Sequence, residues 1–322
     1  WTKTGYRINE KHNIVLFANG YTHQQNSFFG TTKYTAKQHN IYANLQYELT
    51  YNRIHTLKTG LSFRHLNIHE KIEFTDTTLY RSYNGDYKRK ENIPGIFAEN
   101  SMGFLNNKIT WISGLRLDNH NQFGSTLTPR MLLKYDLSSK TVFRANIGTG
   151  WRTVNLFSEN IGLLVSSRDI IFAEKILPER AINYGINMVH KYEINKQSGY
   201  LSADFYRTDF QNQIFPDYDS DTKSAIIKNF KGPSISNGFE LELNLKIAKR
   251  FDIKTGYNYL DVYRIESNKK IQLPFNPKHR ILGAISFKPL TKKFNIDINI
   301  HWFDKQRLPD TKTNPVEFQR PD

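Results

Sequence analysis

Ten histidines and thirty acidic residues supply the side chains that could hold a metal or move a proton. Their spacing is unpromising for either task. His65 and His69 are four apart; on an extended strand they share a face but stand about 13 Å from each other, too far to share one ion. The other histidines are scattered, and no His-x-Glu-x-x-His cluster occurs. Asp217-Tyr-Asp-Ser-Asp221 opens like a calcium loop, with Asp217, Asp219 and Asp221 as the candidate ligands. Such a loop needs Gly at its sixth place and Glu at its twelfth. Thr222 and Lys228 stand there, so a solvated loop is expected and no cofactor is implied.

Covalent chemistry is no better served. The chain has no cysteine, which removes thiolate zinc sites, thiol nucleophiles and disulfides. There is no Gly-x-Ser-x-Gly, P-loop or dinucleotide fingerprint. Gly148-Thr-Gly is a lone glycine pair, which suits a strand running close to another backbone better than a phosphate cradle. A protein that binds rather than catalyses is expected.

Lys plus Arg is 45 and Asp plus Glu is 30, a formal net charge of +15. Nucleic acid is not the expected partner, because the basic residues are spread along the chain. The densest run is Lys88-Arg-Lys90, and no recognition helix is in sight. Lipopolysaccharide phosphates, or anionic metal chelates drawn toward a basic surface, are more natural uses of this charge.

The elements that carry these residues are strands. Phe239, Leu241, Leu243, Leu245 and Ile247 alternate with Glu240, Glu242, Asn244 and Lys246. Phe294, Ile296, Ile298, Ile300 and Trp302 alternate with Asn295, Asp297, Asn299 and His301. Ile41 to Leu49, Ile109 to Leu117, Ile182 to Met188 and Leu201 to Phe205 follow the same period of two, which a helix would not produce. Each strand has one apolar face and one wet face. The wet faces carry Arg116, Arg144, Asp204, Glu240, Glu242 and Asp297, too many charges for a dry interior. A soluble sandwich or propeller is therefore disfavoured, and soluble strands are also shorter, about five to six residues.

Connections alternate in length. Short polar turns are expected at Glu10–Asn13, Tyr51–Asn52, Asn106–Asn107, Ser138–Ser139, Asn195–Gln197, Ala248–Arg250 and Pro289–Lys292. Long polar loops are expected at Gln24–Thr32, Phe74–Tyr87, Asn119–Thr126, Trp151–Leu177, Pro216–Lys223, Glu266–Pro277 and beyond Asp304. A meander with all short turns at one end and all long loops at the other is the pattern of an outer-membrane barrel. No run of about 18 apolar residues exists, so no membrane helix is expected. The fold class expected is all-β: a transmembrane antiparallel up-and-down β-barrel of about fourteen strands. Tyr47, Tyr51, Tyr184, Tyr192, Phe251, Tyr257, Tyr259, Phe287 and Trp302, near strand ends, are candidate interface girdles. Arg152, Asn155 and Glu159, just past a strand end and too polar for lipid, are expected at the mouth, facing the lumen. Arg144 and Arg168 are further lumen- or ligand-facing candidates.

Several motifs carry a family resemblance. Gly148-Thr-Gly-Trp-Arg-Thr-Val-Asn-Leu-Phe-Ser-Glu-Asn160 resembles the strand end and loop Gly-x-Gly-(aromatic)-Arg-x-Pro…Asn-Leu-(aromatic)-x-Glu of TonB-dependent outer-membrane receptors. Leu177-Pro-Glu-Arg-Ala-Ile-Asn-Tyr-Gly is similar to their return strand. Ile235-Ser-Asn-Gly-Phe-Glu-Leu-Glu-Leu and Pro274-Phe-Asn-Pro-Lys-His-Arg are similar to later strands, in the same order. Val154 replaces the usual Pro, and Gly185 stands where that family usually has Glu. The resemblance implies an active transporter of the outer membrane of a Gram-negative bacterium. Such a receptor captures a scarce metal chelate (ferric siderophore, haem or cobalamin) and is driven by the TonB–ExbB–ExbD complex acting on a plug domain. It also implies that residues 1–322 are barrel only, a part of a barrel of about 22 strands. By that comparison the plug, about five earlier strands and about three later ones lie outside this chain. Arg152, Asn155 and Glu159 would then face the lumen or the plug. A passive porin, and less readily a barrel enzyme, are the alternative readings.

Overall fold

The computed structural model describes residues 1–322 except 53, 77–80, 195–196, 248–249, 290, 292, 313 and 320–322. Asn195 and Lys196, Ala248 and Lys249, and Leu290 and Lys292, all in expected short turns, lie outside the described residues, as do residues 77–80 of an expected long loop and the final 320–322.

The strands, in chain order, are β1 (Thr2–Arg7), β2 (His12–Phe29), β3 (Thr32–Asn52), β4 (His55–Phe74), β5 (Gly85–Phe104), β6 (Ile109–His120), β7 (Gly124–Asp136), β8 (Thr141–Arg152), β9 (Asp169–Phe172) and β10 (Glu179–Ile194). They continue with β11 (Gln197–Gln211), β12 (Gln213–Asp217), β13 (Ser224–Phe230), β14 (Ser234–Ile247), β15 (Phe251–Glu266), β16 (Lys269–Gln272), β17 (His279–Phe287) and β18 (Ile296–Phe303). One short helix, α1, spans Ile161–Val165. The main sheet is an antiparallel meander, β1 to β8, then β10, β11, β14, β15, β17 and β18, with β16 paired to β15. Among the described residues no pairing joins β1 to β18, so this sheet is an open arc of wall. The described helices include none long and apolar enough to cross a membrane.

Register gives the wall two faces. A one-residue slip would invert a strand's faces, so pairing must match like with like. Leu16 pairs with Leu45, Leu45 with Leu61, Leu61 with Ile96, Ile96 with Leu117, and Leu117 with Leu127, forming one apolar row across β2 to β7. Ile186, Phe205, Phe239 and Tyr259 form a similar row across β10, β11, β14 and β15. These residues are exposed or half-buried. An apolar surface this continuous does not stay in water on a monomeric soluble protein. The opposite face carries hydrogen-bonded polar ladders: Arg144 donates to Asn187 (3.0 Å), Asn187 to Asp204 (2.7 Å), and Asn258 to Glu240 (2.7 Å).

Two expected loops are not loops. Gln24–Ser27 belongs to β2, each residue paired with β3, and the chain reverses at Gly30 with φ +59°. At Asn119–Thr126 a tight turn over residues 121–123 joins β6 to β7, and Gly124 takes φ +73°. Strands that rise past an apolar band are polar on both faces, so their composition matches a loop while their backbone stays paired. The alternation of short and long connections is therefore not strict. The true long connections fold: Trp151–Leu177 contains α1 and β9, while β12 and β13 form a hairpin that pairs with β9 in a separate three-stranded sheet. Among the described residues the dry core is here. Tyr34 and Ile72, on the inward faces of β3 and β4, pack with Tyr83, Phe157, Leu164 and Ile227. Fully burying each such side chain is worth about 1.5–3 kcal/mol. The core thus lies at the loop end, as a cap resting on the inner side of the wall.

Candidate functional site

β8 ends at Arg152, where the wall meets the cap. Its guanidinium lies between two carboxylates: Nε donates to Glu179 at 2.6 Å and Nη1 to Glu159 at 3.0 Å. Glu159 in turn accepts the backbone N–H of Asn155 at 2.9 Å. Glu179 opens β10 and also accepts the N–H of Ile214 at 2.6 Å, which fixes the start of β12. The structure therefore brings Arg152, Asn155 and Glu159 into one hydrogen-bonded group at the end of β8. Arg152 remains more than half exposed, its side chain at 58%.

Arg168 is elsewhere, inside the cap. Its Nη1 donates to the carbonyls of Tyr218 (3.0 Å), Asp221 (3.0 Å) and Ser224 (3.1 Å), and its guanidinium stacks on the Tyr218 ring. These contacts knit the β12–β13 hairpin to the segment before β9. Arg144 is lower, in the inner wall on β8.

Residues that spacing alone did not single out hold the cap down. Arg89 on β5 donates to the Val154 carbonyl at 2.6 Å and to the Asn155 side chain, and its Nε lies 3.2 Å from buried Glu91. Glu91 also meets Arg64 at 3.2 Å and His120 at 3.7 Å. Arg81 donates to the carbonyls of Ser166 and Arg168. Tyr34 donates to Glu70 at 2.7 Å, and Glu70 accepts the Ser158 backbone N–H. Burial pushes both the Tyr34 phenol and the Glu70 carboxyl up from their usual ranges. The signal for Arg89 was present but hidden. In the run Lys88-Arg-Lys90, the period of two turns Arg89 inward and the flanking lysines outward.

Between wall and cap lies a cavity of about 410 Å³, lined by Glu70, Tyr87, Arg89, Phe123, Phe157 and Lys175 among others. A second, of about 580 Å³, lies between α1 and the loops, with Arg168, Tyr218 and Phe275 on its walls. Both are lined by aromatic and charged groups, a lining that suits an organic ligand.

The three acidic residues considered for calcium are committed to protein partners. Asp217 accepts the N–H groups of Asp219 (3.0 Å) and Ser220 (3.1 Å), the Ser220 hydroxyl (2.7 Å), and meets Lys228 at 3.3 Å. Asp219 takes a forked pair from Arg307 at 3.1 and 2.6 Å, plus the N–H of Asp310 at 3.0 Å. Asp221 accepts the N–H of Lys223 at 2.9 Å. Burial would push the Asp217 and Asp219 carboxyls up, but these donors outweigh it and hold both below the usual range. Among the described residues no three His, Asp or Glu converge on a metal position.

The model of the family described as TonB dependent receptor-like, β-barrel, matches residues 1–316. The chain belongs to that family. Solved barrels of similar fold include the siderophore receptor PirA of Pseudomonas aeruginosa, 14% identical, over 94% of this chain and 59% of that one, with a TM-score of 0.60. A ferric enterobactin receptor (PfeA) mutant from the same organism is 16% identical over 92% of this chain and 50% of that one, TM-score 0.59. The copper transporter OprC is 15% identical over 89% and 50%, TM-score 0.62. This member of the TonB-dependent receptor family therefore spans about half the length of the solved structures it matches. No curated protein matches it by sequence. The family is one of receptors and transporters.

Packing accounts for one departure from the resemblance noted in the sequence. Tyr206 on β11 pairs with Gly185 on one side and Gly238 on the other. A Cβ on Gly238 would lie 2.0 Å from the Tyr206 ring, and one on Gly185 would lie 2.7 Å from the Phe205 carbonyl. Glycine at 185, where the motif usually has Glu, leaves room for that close approach.

Proposed function

We propose that this chain forms part of the wall and the outer mouth of an outer-membrane active transporter. The full receptor captures a scarce metal chelate (ferric siderophore, haem or cobalamin) and takes it up when TonB–ExbB–ExbD pulls on a plug carried elsewhere in the protein. The reading involves binding and conformational work, with no covalent step. The observation that carries it is the cap. Among the described residues, an apolar-outside, polar-inside wall ends at one end in a folded sheet held over the inward face by Arg89, Arg152 and Glu70. A lumen guarded at a single mouth suits capture of a bulky solute better than free diffusion.

In this reading Arg152, Asn155 and Glu159 face the lumen or the plug, Arg168 supports the ligand-binding loops, and Arg144 belongs to the plug-facing wall. The metal-linked names among the structural relatives favour metal-bound cargo over sugar or peptide. The experiment is growth and labelled-metal uptake by a strain lacking the receptor gene and by its complemented form. A panel of ferric siderophores, haem, cobalamin and copper is offered, with and without a proton uncoupler. Uptake of one substrate that needs both the gene and the proton gradient supports the proposal. Gene-dependent flux that survives the uncoupler would make the protein a passive channel.

A further inference from the structure

Turns that borrow a side-chain acceptor commonly use the oxygen of Asn, Asp, Ser or Thr, which bonds the backbone N–H two residues on. The turn over residues 121–123 uses a histidine instead. His120 ends β6, three residues past Leu117 of the apolar row, and its Nδ1 accepts the N–H of Gln122 at 3.0 Å. An accepting ring nitrogen carries no proton, so the imidazole is neutral and its proton is on Nε2. Nε2 lies 3.7 Å from Glu91 and makes no hydrogen bond among the described residues.

The ring is 2% exposed. Phe123 stands 4.8 Å from it and Trp151 5.8 Å, centroid to centroid. The charged groups facing it are Glu91 and Arg89 from β5 and Arg64 from β4. On its own strand, Asp118 is paired with Arg116 at 2.6 Å. The turn has two fixed points. Asn121 accepts the Asn92 N–H at 3.0 Å and donates to the Lys90 carbonyl at 3.1 Å. Gly124 takes φ +73°, and a Cβ there would meet nothing within 4 Å. Gln122 and Phe123 lie between these points, and both line the cavity of about 410 Å³ beneath the cap.

We propose that His120 is a proton-operated latch on this cavity: neutral, it holds the 121–123 turn with Phe123 against the cavity, and protonated, it lets Gln122 and Phe123 swing away. The added proton must go to Nδ1, the one free lone pair of the ring. An N–H cannot accept from another N–H, so the bond to Gln122 is lost. The new charge also draws Nε2 toward Glu91, away from the turn. The turn then pivots between Asn121 and Gly124, and the cavity loses an aromatic wall. The cap itself stays down, because Arg89 still holds the Val154 carbonyl. That the latch regulates ligand capture rests on the uptake reading above; the latch itself can be tested without cargo.

Amide exchange of the full receptor in mild detergent, corrected for its intrinsic pH dependence, is followed between about pH 8 and about pH 5, across the ordinary imidazole value of about 6.5. Burial opposes charging the ring first, Glu91 favours it, and Arg64 and Arg89 oppose it again. The neutral ring is the closed form, so protection is full above the ring's titration and is lost as pH falls through it. Residues 121–124 are expected to lose protection about tenfold, the worth of one hydrogen bond, while residues 153–165, β3 and β4 keep theirs. His120→Asn offers an oxygen to the same N–H and should stay protected throughout; His120→Ala should be unprotected throughout. Glu91→Gln removes the charge that favours the imidazolium, so it should move the midpoint to lower pH, which a ring that merely fills space would not do. Protection at 121–124 that ignores pH, a pH-dependent loss that persists in His120→Asn, or a loss shared by β3 and β4 would each overturn the proposal. Should neither variant at 120 reach the membrane, an unmoved midpoint in Glu91→Gln overturns it. Loss of the uptake reading in the growth experiment would leave this exchange result standing, so the two fail separately.

Discussion

The Arg89 guanidinium donates to the carbonyl of Val154, 2.6 Å away, and so ties β5 to the chain leaving β8. It does this while sharing Glu91, which is fully buried, with Arg64 and His120. Removing one partner of a buried ion pair typically costs about 3–5 kcal/mol, because the remaining charge is left without compensation. Arg89→Ala is expected to loosen residues 153–165, read as faster amide exchange there in the full receptor with β3 and β4 unchanged. Glu91→Gln, which keeps a hydrogen-bonding group, should have a smaller effect. Unchanged exchange in both variants would mean that this contact does not hold the cap.

Leu243 and Glu242 test the two faces of one strand. Leu243 pairs with Leu201 and Thr255 on the apolar side, and Glu242 with Ser202 and Gly256 on the polar side. An arginine on the lipid side near mid-bilayer costs about 2–4 kcal/mol. Leu243→Arg should lower the outer-membrane yield of heat-modifiable receptor, and Glu242→Ala should not. Equal yields would show that the faces are assigned wrongly.

Tyr206 between two glycines makes a packing prediction. Gly238→Leu must expel the ring that now covers that position. Expected is a destabilisation of about 1–3 kcal/mol from overpacking, read as a lower heat-modifiability midpoint. Combining it with Tyr206→Ala should recover much of the loss. If the double variant is no better than the single, the ring is not what glycine accommodates.

The architecture was largely legible because period two survives through the apolar band of the long strands, and it failed only where a strand such as β2 runs on past that band with polar residues on both faces. Phe239 to Ile247 reads correctly from composition alone, and register then aligns it with Leu201 and Tyr257. The cap was not legible. β9 has four residues and pairs in parallel with β13, with Ile170 beside Ala225. A strand that short, joined to a partner so far along the chain, leaves no periodic trace. Arg152, Asn155 and Glu159 were singled out because they follow a strand end within a motif, and the structure joins them by hydrogen bonds. Arg89 was hidden in a basic run, and Glu179 looked like an ordinary motif residue.

The Arg307–Asp219 fork gives a pH dependence. The Asp219 carboxyl is held below 3.8, its usual value, although burial opposes this. A depressed carboxyl stabilises the fold at pH above its unfolded value, and that contribution is lost as pH falls through the lower, folded value. The segment 305–310 should therefore stay protected at neutral pH and lose protection only as pH falls below about 3.8, read as amide exchange corrected for its intrinsic pH dependence. Asp219→Asn should show low protection there that does not change across the range. Wild-type protection that does not change with pH would contradict the assignment.

The most direct test of the account uses the absence of cysteine from residues 1–322, with any cysteine elsewhere in the full receptor first replaced by serine. Single cysteines at 239, 240, 241, 242 and 243 of the full receptor, in native outer membranes, are labelled with an environment-sensitive probe and quenched from lipid or from water. The account predicts lipid quenching at 239, 241 and 243, water quenching at 240 and 242, and strict alternation along β14. Water access at all five positions, or lipid contact at 240 and 242, would contradict a membrane wall with its polar face toward a capped lumen.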